Sequence, residues 1–165
     1  MDRNALWDNL FRKKDAEPLR ELLRNIPLFS SLGSYELTRL ERIMHERHYK
    51  EDEPVFLEGE PGAALYIIKS GTIAIYKNYD KQAIRLAELG PESFFGEMAL
   101  FSESPRSATA IAKETCTLLA LSKPDLDLFA ERNPKIGLKI LENLGAIISE
   151  RLRIANDQIE ILQSK

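Results

Sequence analysis

Between residues 54 and 122 the apolar residues come in seven short runs, at 54–57, 65–70, 72–77, 83–89, 93–95, 108–112 and 116–122. Turn-forming groups stand among them: Glu60-Pro61-Gly62, Ser70-Gly71, Asn78-Tyr79-Asp80 and Gly90-Pro91. Runs this short cannot satisfy their own backbone groups, so each must pair with a neighbour. Gaps of a few residues suit turns between antiparallel strands, whereas parallel neighbours need a crossover of about a dozen residues or more. The segment therefore predicts an antiparallel roll or sandwich rather than a parallel sheet.

Helical periodicity flanks this segment on both sides. Leu6, Trp7, Leu10 and Phe11 share one face of a first helix, with Trp7 as docking surface. Pro18 suits the first turn of a second helix carrying Leu19, Leu22, Leu23 and Ile26. A third is expected from Ser34 as N-cap through Leu37, Leu40, Ile43 and Met44. His45 and His48 fall at the end of that helix and read as a surface pair. Their spacing is three, not the i, i+4 of a zinc-binding helix.

Helical spacing resumes at Pro124, and Asn133-Pro134 sets an N-cap residue before a proline at the first helical position. From there to Ser164 only Gly137 and Gly145 weaken the pattern. One heptad seam reads Leu138, Leu141, Gly145, Ile148, Leu152, Ala155, Ile159, Leu162, and a second column reads Ile140, Ile147, Ile154, Ile161. An apolar arc that wide asks for two partners, the roll on one side and a second copy of the helix on the other, so a homodimer is expected. The organisation is an N-terminal helical segment at 1–33, a β-roll at 34–132 and a C-terminal dimerisation or lid helix at 133–165.

With 165 residues and 44% apolar content the chain can build one core, and no apolar run approaches the roughly 20 residues of a membrane span. The single cysteine, Cys116, cannot form an internal disulfide; it reads as a core residue in a cytoplasmic protein. The net charge of −3 is unevenly spread: residues 51–122 hold eleven Asp/Glu against six Lys/Arg. No segment has the dense basic face of a nucleic-acid binder, so direct DNA contact is not expected. Nor is catalysis, since no nucleophile elbow, P-loop or dinucleotide fingerprint occurs, and no metal-ligand set stands out. An anion bound in the acidic middle needs a local cation, drawn from Lys69, Lys77, Lys81, Arg85, Arg106 and Lys113.

The chemistry concentrates at 94–110. Phe94 and Phe95 end a strand, Gly96 permits a turn or close approach, and Met98–Ser102 can make one helical turn. The start of such a turn offers unpaired N–H groups to an anion. Glu97 there is an acceptor suited to sugar hydroxyls. Arg106, beyond a proline-set loop, brings a planar donor fork. An acceptor, amide donors and one Arg are what a ribose joined to a phosphate requires.

Phe95-Gly96-Glu97-Met98-Ala99-Leu100, a five-residue gap, then Arg106-Ser107-Ala108-Thr109-Ala110 resembles the phosphate-binding cassette of the cyclic nucleotide-binding domain family. The resemblance extends to Pro27-Leu28-Phe29, Glu58-Gly59-Glu60-Pro61-Gly62, Leu65-Tyr66-Ile67-Ile68 with Gly71, and two closing helices. It implies an eight-stranded β-roll with helices at both ends. It implies that Glu97 holds the ribose 2′-hydroxyl with backbone help from Gly96 and Met98, in a turn completed by Ala99. Arg106 would hold the phosphate, with donors from Ser107 and Ala108. Leu86, Ala87 and Leu89 would wall the base, and Ala155 and Asn156 would meet the adenine edge. The chain departs from the family pattern at Glu92-Ser93, where Gly-Asp or Gly-Glu is usual, and at Ala63, where an acidic residue is common.

The chain is thus expected to be mainly β with flanking helices. It would be a non-enzymatic receptor for cAMP, with cGMP as the second choice, that changes helix packing on binding and acts on an effector protein. Ser107 favours cAMP, because cGMP-selective sites more often place Thr there. No helix-turn-helix follows the last helix, so DNA reading would fall to a partner or to a further segment. Two other classes stay open: a degenerate fold serving only dimerisation or docking, and the sensor piece of a longer transcription regulator, channel or enzyme.

Overall fold

A computed structural model of the chain describes residues 18–101 and 104–163, apart from the side chain of Leu162. The helix expected around Trp7 lies outside those residues. The described residues fall into two compact units, one drawn from the segments up to Leu37 and from Ala130 onward, the other Thr38–Phe129.

The second unit is built from eight strands: β1 (His45–Tyr49), β2 (Pro54–Phe56), β3 (Ala64–Ser70), β4 (Ile73–Lys77), β5 (Ile84–Leu89), β6 (Phe94–Phe95), β7 (Thr109–Ala112) and β8 (Cys116–Ser122). They form two four-stranded antiparallel sheets, in the orders β1-β8-β3-β6 and β2-β7-β4-β5. This is the jelly-roll form of the expected β-roll, and all seven apolar runs lie on its strands. The core holds Ile68, Phe95, Cys116 and Leu118 from one sheet and Ile73, Ala110 and Ala112 from the other. A fully buried Ile or Leu contributes about 1.5–3 kcal/mol.

The remaining strand, β1, corrects the sequence reading. Helix α2 (Ser34–Glu41), which follows helix α1, described over 18–25, stops short of Ile43 and Met44. Those two residues make a turn, donating to the carbonyls of Leu40 and Glu41 at 3.1 and 3.2 Å. His45 and His48 therefore sit on a strand, paired with Ala120 and Thr117, and not on a helix end. Both are exposed, as expected, and the first four positions of His45–Tyr49 are exposed too, so the strand carries no alternation to read. The helix cap also shifts by one residue. The Gly33 carbonyl accepts from Leu37, and its N–H donates to Glu36 Oε2 at 2.8 Å, so Ser34 is the first helical residue.

Cys116 is fully buried, and burial pushes its thiol pKa up. The turn before β4 has Gly71 at φ +87°, and a Cβ there would lie 2.5 Å from Cys116 Sγ. Only glycine fits both the backbone and the space.

Helix α3 (Lys123–Arg132) starts on a capping pair: Asp125 N–H donates to Ser122 Oγ at 3.2 Å, and that hydroxyl donates to Asp125 Oδ2 at 2.5 Å. Helix α4 (Pro134–Gln163) is capped as expected, with the Asn133 carbonyl accepting from Ile136 and Gly137 at 2.9 and 3.0 Å. Ile136, Ile140 and Leu144 form its buried face. Asn143 Nδ2 donates to the Leu28 carbonyl and Ser31 Oγ at 3.0 and 2.8 Å, pinning the 3-10 turn Pro27–Phe29. Lys139 pairs with Glu36 at 2.8 Å and, with the Gly33 N–H, holds that carboxyl below the usual range. From Ile148 to Ile161 every residue is exposed, including Leu152 at 61%. Among the described residues no helix is long and apolar enough to cross a membrane.

Candidate functional site

The segment joining β6 to β7 turns on Gly96, which takes left-handed backbone angles of φ 76° and ψ 16°. A 3-10 helix, Glu97–Leu100, follows, closed by Ala99 N–H on the Gly96 carbonyl at 3.3 Å. Ala99 and Leu100 are buried and anchor it. Glu97 is buried as well, while Met98 is exposed.

Arg106 enters the same place from the other end of the loop. Its backbone N–H donates to the Glu60 carbonyl at 2.8 Å, tying the loop to the preceding turn. Its side chain is only 8% exposed. Nη2 donates to the Ala64 carbonyl at 2.9 Å and Nη1 to the Gly96 carbonyl at 3.3 Å. Nε is buried and has no partner among the described residues. The guanidinium carbon lies 4.0 Å from the centre of the Phe56 ring and 5.8 Å from that of Tyr66. Among the described residues its side-chain hydrogen bonds go to backbone carbonyls and not to a carboxylate. Burial lowers its pKa, against the influence of Tyr66 and Glu60, but a guanidinium stays charged at neutral pH. A buried cation with one orphaned donor is a place where an anion gains and water does not compete.

Ser107 is exposed, with Oγ 3.8 Å from Met98 Sδ, and Ala108 is buried just before β7. The structure thus draws Gly96, Met98, Arg106 and Ser107 into one loop system. On β5, Ala87 and Leu89 face Ile75 and Ile73 across the ladder, and Leu89 packs on the core. The register shifts between Ile75 and Tyr76, where Tyr76 pairs with Arg85, so Leu86 is the extra residue of a bulge and is 57% exposed. Asn156 is exposed on α4, in the other compact unit.

Four further residues hold this arrangement: Lys77, named in the sequence among the candidate cations, and Glu58, Phe56 and Tyr66, to which the sequence gave no part at the site. Lys77 Nζ donates to the Ser107 carbonyl at 2.8 Å and to Glu58 Oε1 at 2.5 Å. Glu58 also accepts the Asn78 N–H at 2.9 Å, and these donors keep its carboxyl below the usual range. Lys77 was visible as one of few cations in an acidic segment, and Glu58 stands in the Glu-Gly-Glu-Pro-Gly run. Phe56 gave no signal, because an aromatic residue in an apolar run looks like core, and Tyr66 entered only with the resemblance at 65–68. Tyr49, half-buried and hydrogen-bonded with Tyr66, has its phenol pKa pushed up to about 12, mainly by burial. Among the described residues no three His, Cys, Asp or Glu side chains cluster for a metal ion.

Comparison with known proteins places this geometry in context. Residues 46–133 match the cyclic nucleotide-binding domain. The cyclic AMP receptor protein of Thermus thermophilus is 35% identical over 141 residues, covering 85% of this chain and 63% of that protein. The crystal structure of the Thermus thermophilus catabolite activator protein aligns with a TM-score of 0.75, at 36% identity, over 83% of this chain and 63% of that one. Glutaminase 1 of Bradyrhizobium diazoefficiens is 33% identical over 138 residues, covering 84% of this chain but 22% of that protein. The chain therefore spans less than two thirds of these relatives.

Proposed function

Because the chain belongs to the cyclic nucleotide-binding domain family, we propose that it is a receptor for a cyclic mononucleotide, cAMP in preference to cGMP. Arg106 carries the reading: a buried guanidinium with an orphaned Nε, hydrogen-bonded to backbone carbonyls and not to a carboxylate among the described residues. In this reading Arg106 Nε takes a phosphate oxygen while Nη2 keeps its bond to Ala64. Glu97 accepts from the ribose 2′-hydroxyl at the backbone of Gly96, Met98 and Ala99. Ser107 and Ala108 add donors, and Leu86, Ala87 and Leu89 border the base. The protein performs no chemistry of its own. Nucleotide shifts the population between two packings, and the signal passes to an effector protein without direct nucleic-acid contact. The setting is cytoplasmic, and α4 carries a homodimer.

The cyclic phosphate is a monoanion, and residues 51–122 are net acidic. Attraction therefore comes from Arg106 and nearby backbone dipoles, not from the overall field. Leaving the phosphate without its countercharge costs about 2–5 kcal/mol, roughly 30- to several-thousand-fold in affinity. Calorimetry should rank wild type, Glu97→Ala and Arg106→Leu in falling affinity for cAMP, with Arg106→Lys between wild type and Arg106→Leu. The preference over cGMP should be about 10- to 100-fold. An Arg106→Leu protein that binds cAMP as tightly as wild type removes the assignment, and tighter cGMP binding reverses the ligand.

A further inference from the structure

The guanidinium of Arg106 rests on aromatic rings contributed by both sheets. Phe56 on β2 lies 6.0 Å from Tyr66 on β3 and 5.8 Å from Phe95 on β6, and Tyr66 stacks on Phe95 at 5.5 Å. Of the rings near the cation, Phe56 is the closer, 4.0 Å from the guanidinium carbon. We propose that Phe56 is a positioning residue for anion binding, its ring face stabilising the buried Arg106 cation and aiming it without neutralising it. The proposal rests on Arg106 being the phosphate ligand.

The physical case is one of charge balance. A cation taken out of water needs compensation, and a carboxylate would supply it. A carboxylate would also cancel the charge and compete with the incoming phosphate. The face of an aromatic ring attracts a cation through its quadrupole and brings no net charge, so the full positive charge is left for the ligand. The carbonyls of Ala64 and Gly96 fix two corners of the guanidinium. The Phe56 ring covers one face. The space is tight on that side: a Cβ on Gly96 would lie 2.8 Å from Arg106 Nη1 and 3.5 Å from Phe56 Cε1.

The test replaces Phe56 in the full chain with 4-fluoro-, 3,5-difluoro- and 3,4,5-trifluorophenylalanine by nonsense suppression. Fluorine drains the ring face while nearly preserving its shape, so a packing role is left in place. The cAMP Kd should rise stepwise along the series, by about 2- to 30-fold in total, the range of cation–π contacts from exposed to desolvated. The Tm without nucleotide should fall stepwise in the Arg106 protein and stay level in an Arg106→Leu background. A Kd that stays level along the series, while Arg106→Leu alone abolishes binding, overturns the role of Phe56 and leaves the phosphate site standing. Wild-type affinity in Arg106→Leu overturns the phosphate site itself, and the proposal with it.

Discussion

A methyl group added at Gly96 meets Arg106 Nη1 at 2.8 Å, whereas one added at Gly59 meets nothing within 4 Å, although both glycines have positive φ, +76° and +86°. The two positions separate backbone strain from collision. Each alanine variant should lose about 1–2 kcal/mol of stability from the left-handed backbone alone. Gly96→Ala should in addition push the guanidinium off its carbonyls and weaken cAMP binding, while Gly59→Ala keeps affinity close to wild type. Thermal melts and calorimetry on the pair check this; equal affinity in both variants would mean that Arg106 tolerates displacement. At this scale the sequence was legible where residue type is chemically loaded. Glu97, Arg106 and Gly96 stood out by residue type between 94 and 110, and the structure buries both charged side chains beside that glycine. Phe56 did not stand out, because its function depends on which face of the ring a cation reaches, and that is decided by the pairing of β2 and by the loop carrying Arg106.

Elements were legible in proportion to the period of their apolar pattern. Seven strands showed runs between turn residues; β1 did not, because the polar sequence His-Glu-Arg-His lies at a sheet edge and is held by pairing with β8. The error propagated backward, since Ile43 and Met44 continue a helical spacing that the chain abandons at Glu41. Helix α4 was legible in its cap and its length. Its first turns bury Ile136, Ile140 and Leu144, whereas Leu138, Leu141, Ile148, Leu152 and Ile159 along the seam are exposed. A second copy of α4 would cover that seam, and Leu152→Glu would then leave a charge in a closed interface. Sedimentation should show a dimer for wild type and a folded monomer for Leu152→Glu. A wild-type chain that already runs as a monomer disposes of the dimer.

For the molecule as a whole, the net charge of −3 and the acidic stretch at 51–122 make the distant field unfavourable to a nucleotide. In the proposed function, selection is left to a few groups inside the roll, which ties occupancy to the integrity of the two sheets that position them. Cys116, the chain's single thiol, lies fully buried between those sheets. It acts as a clock for their separation. A disulfide reagent can reach the sulfur only in molecules whose sandwich has opened, so the labelling rate measures how often that happens. A ligand at about 100 times its Kd suppresses such openings by about 2.7 kcal/mol, or roughly 100-fold. Labelling of the unmodified protein should slow by that factor in cAMP and be unaffected by it in Arg106→Leu. An unchanged rate alongside calorimetric binding would mean that the sheets part without releasing the nucleotide. No engineered probe is required, because the residue that fills the core also counts its openings.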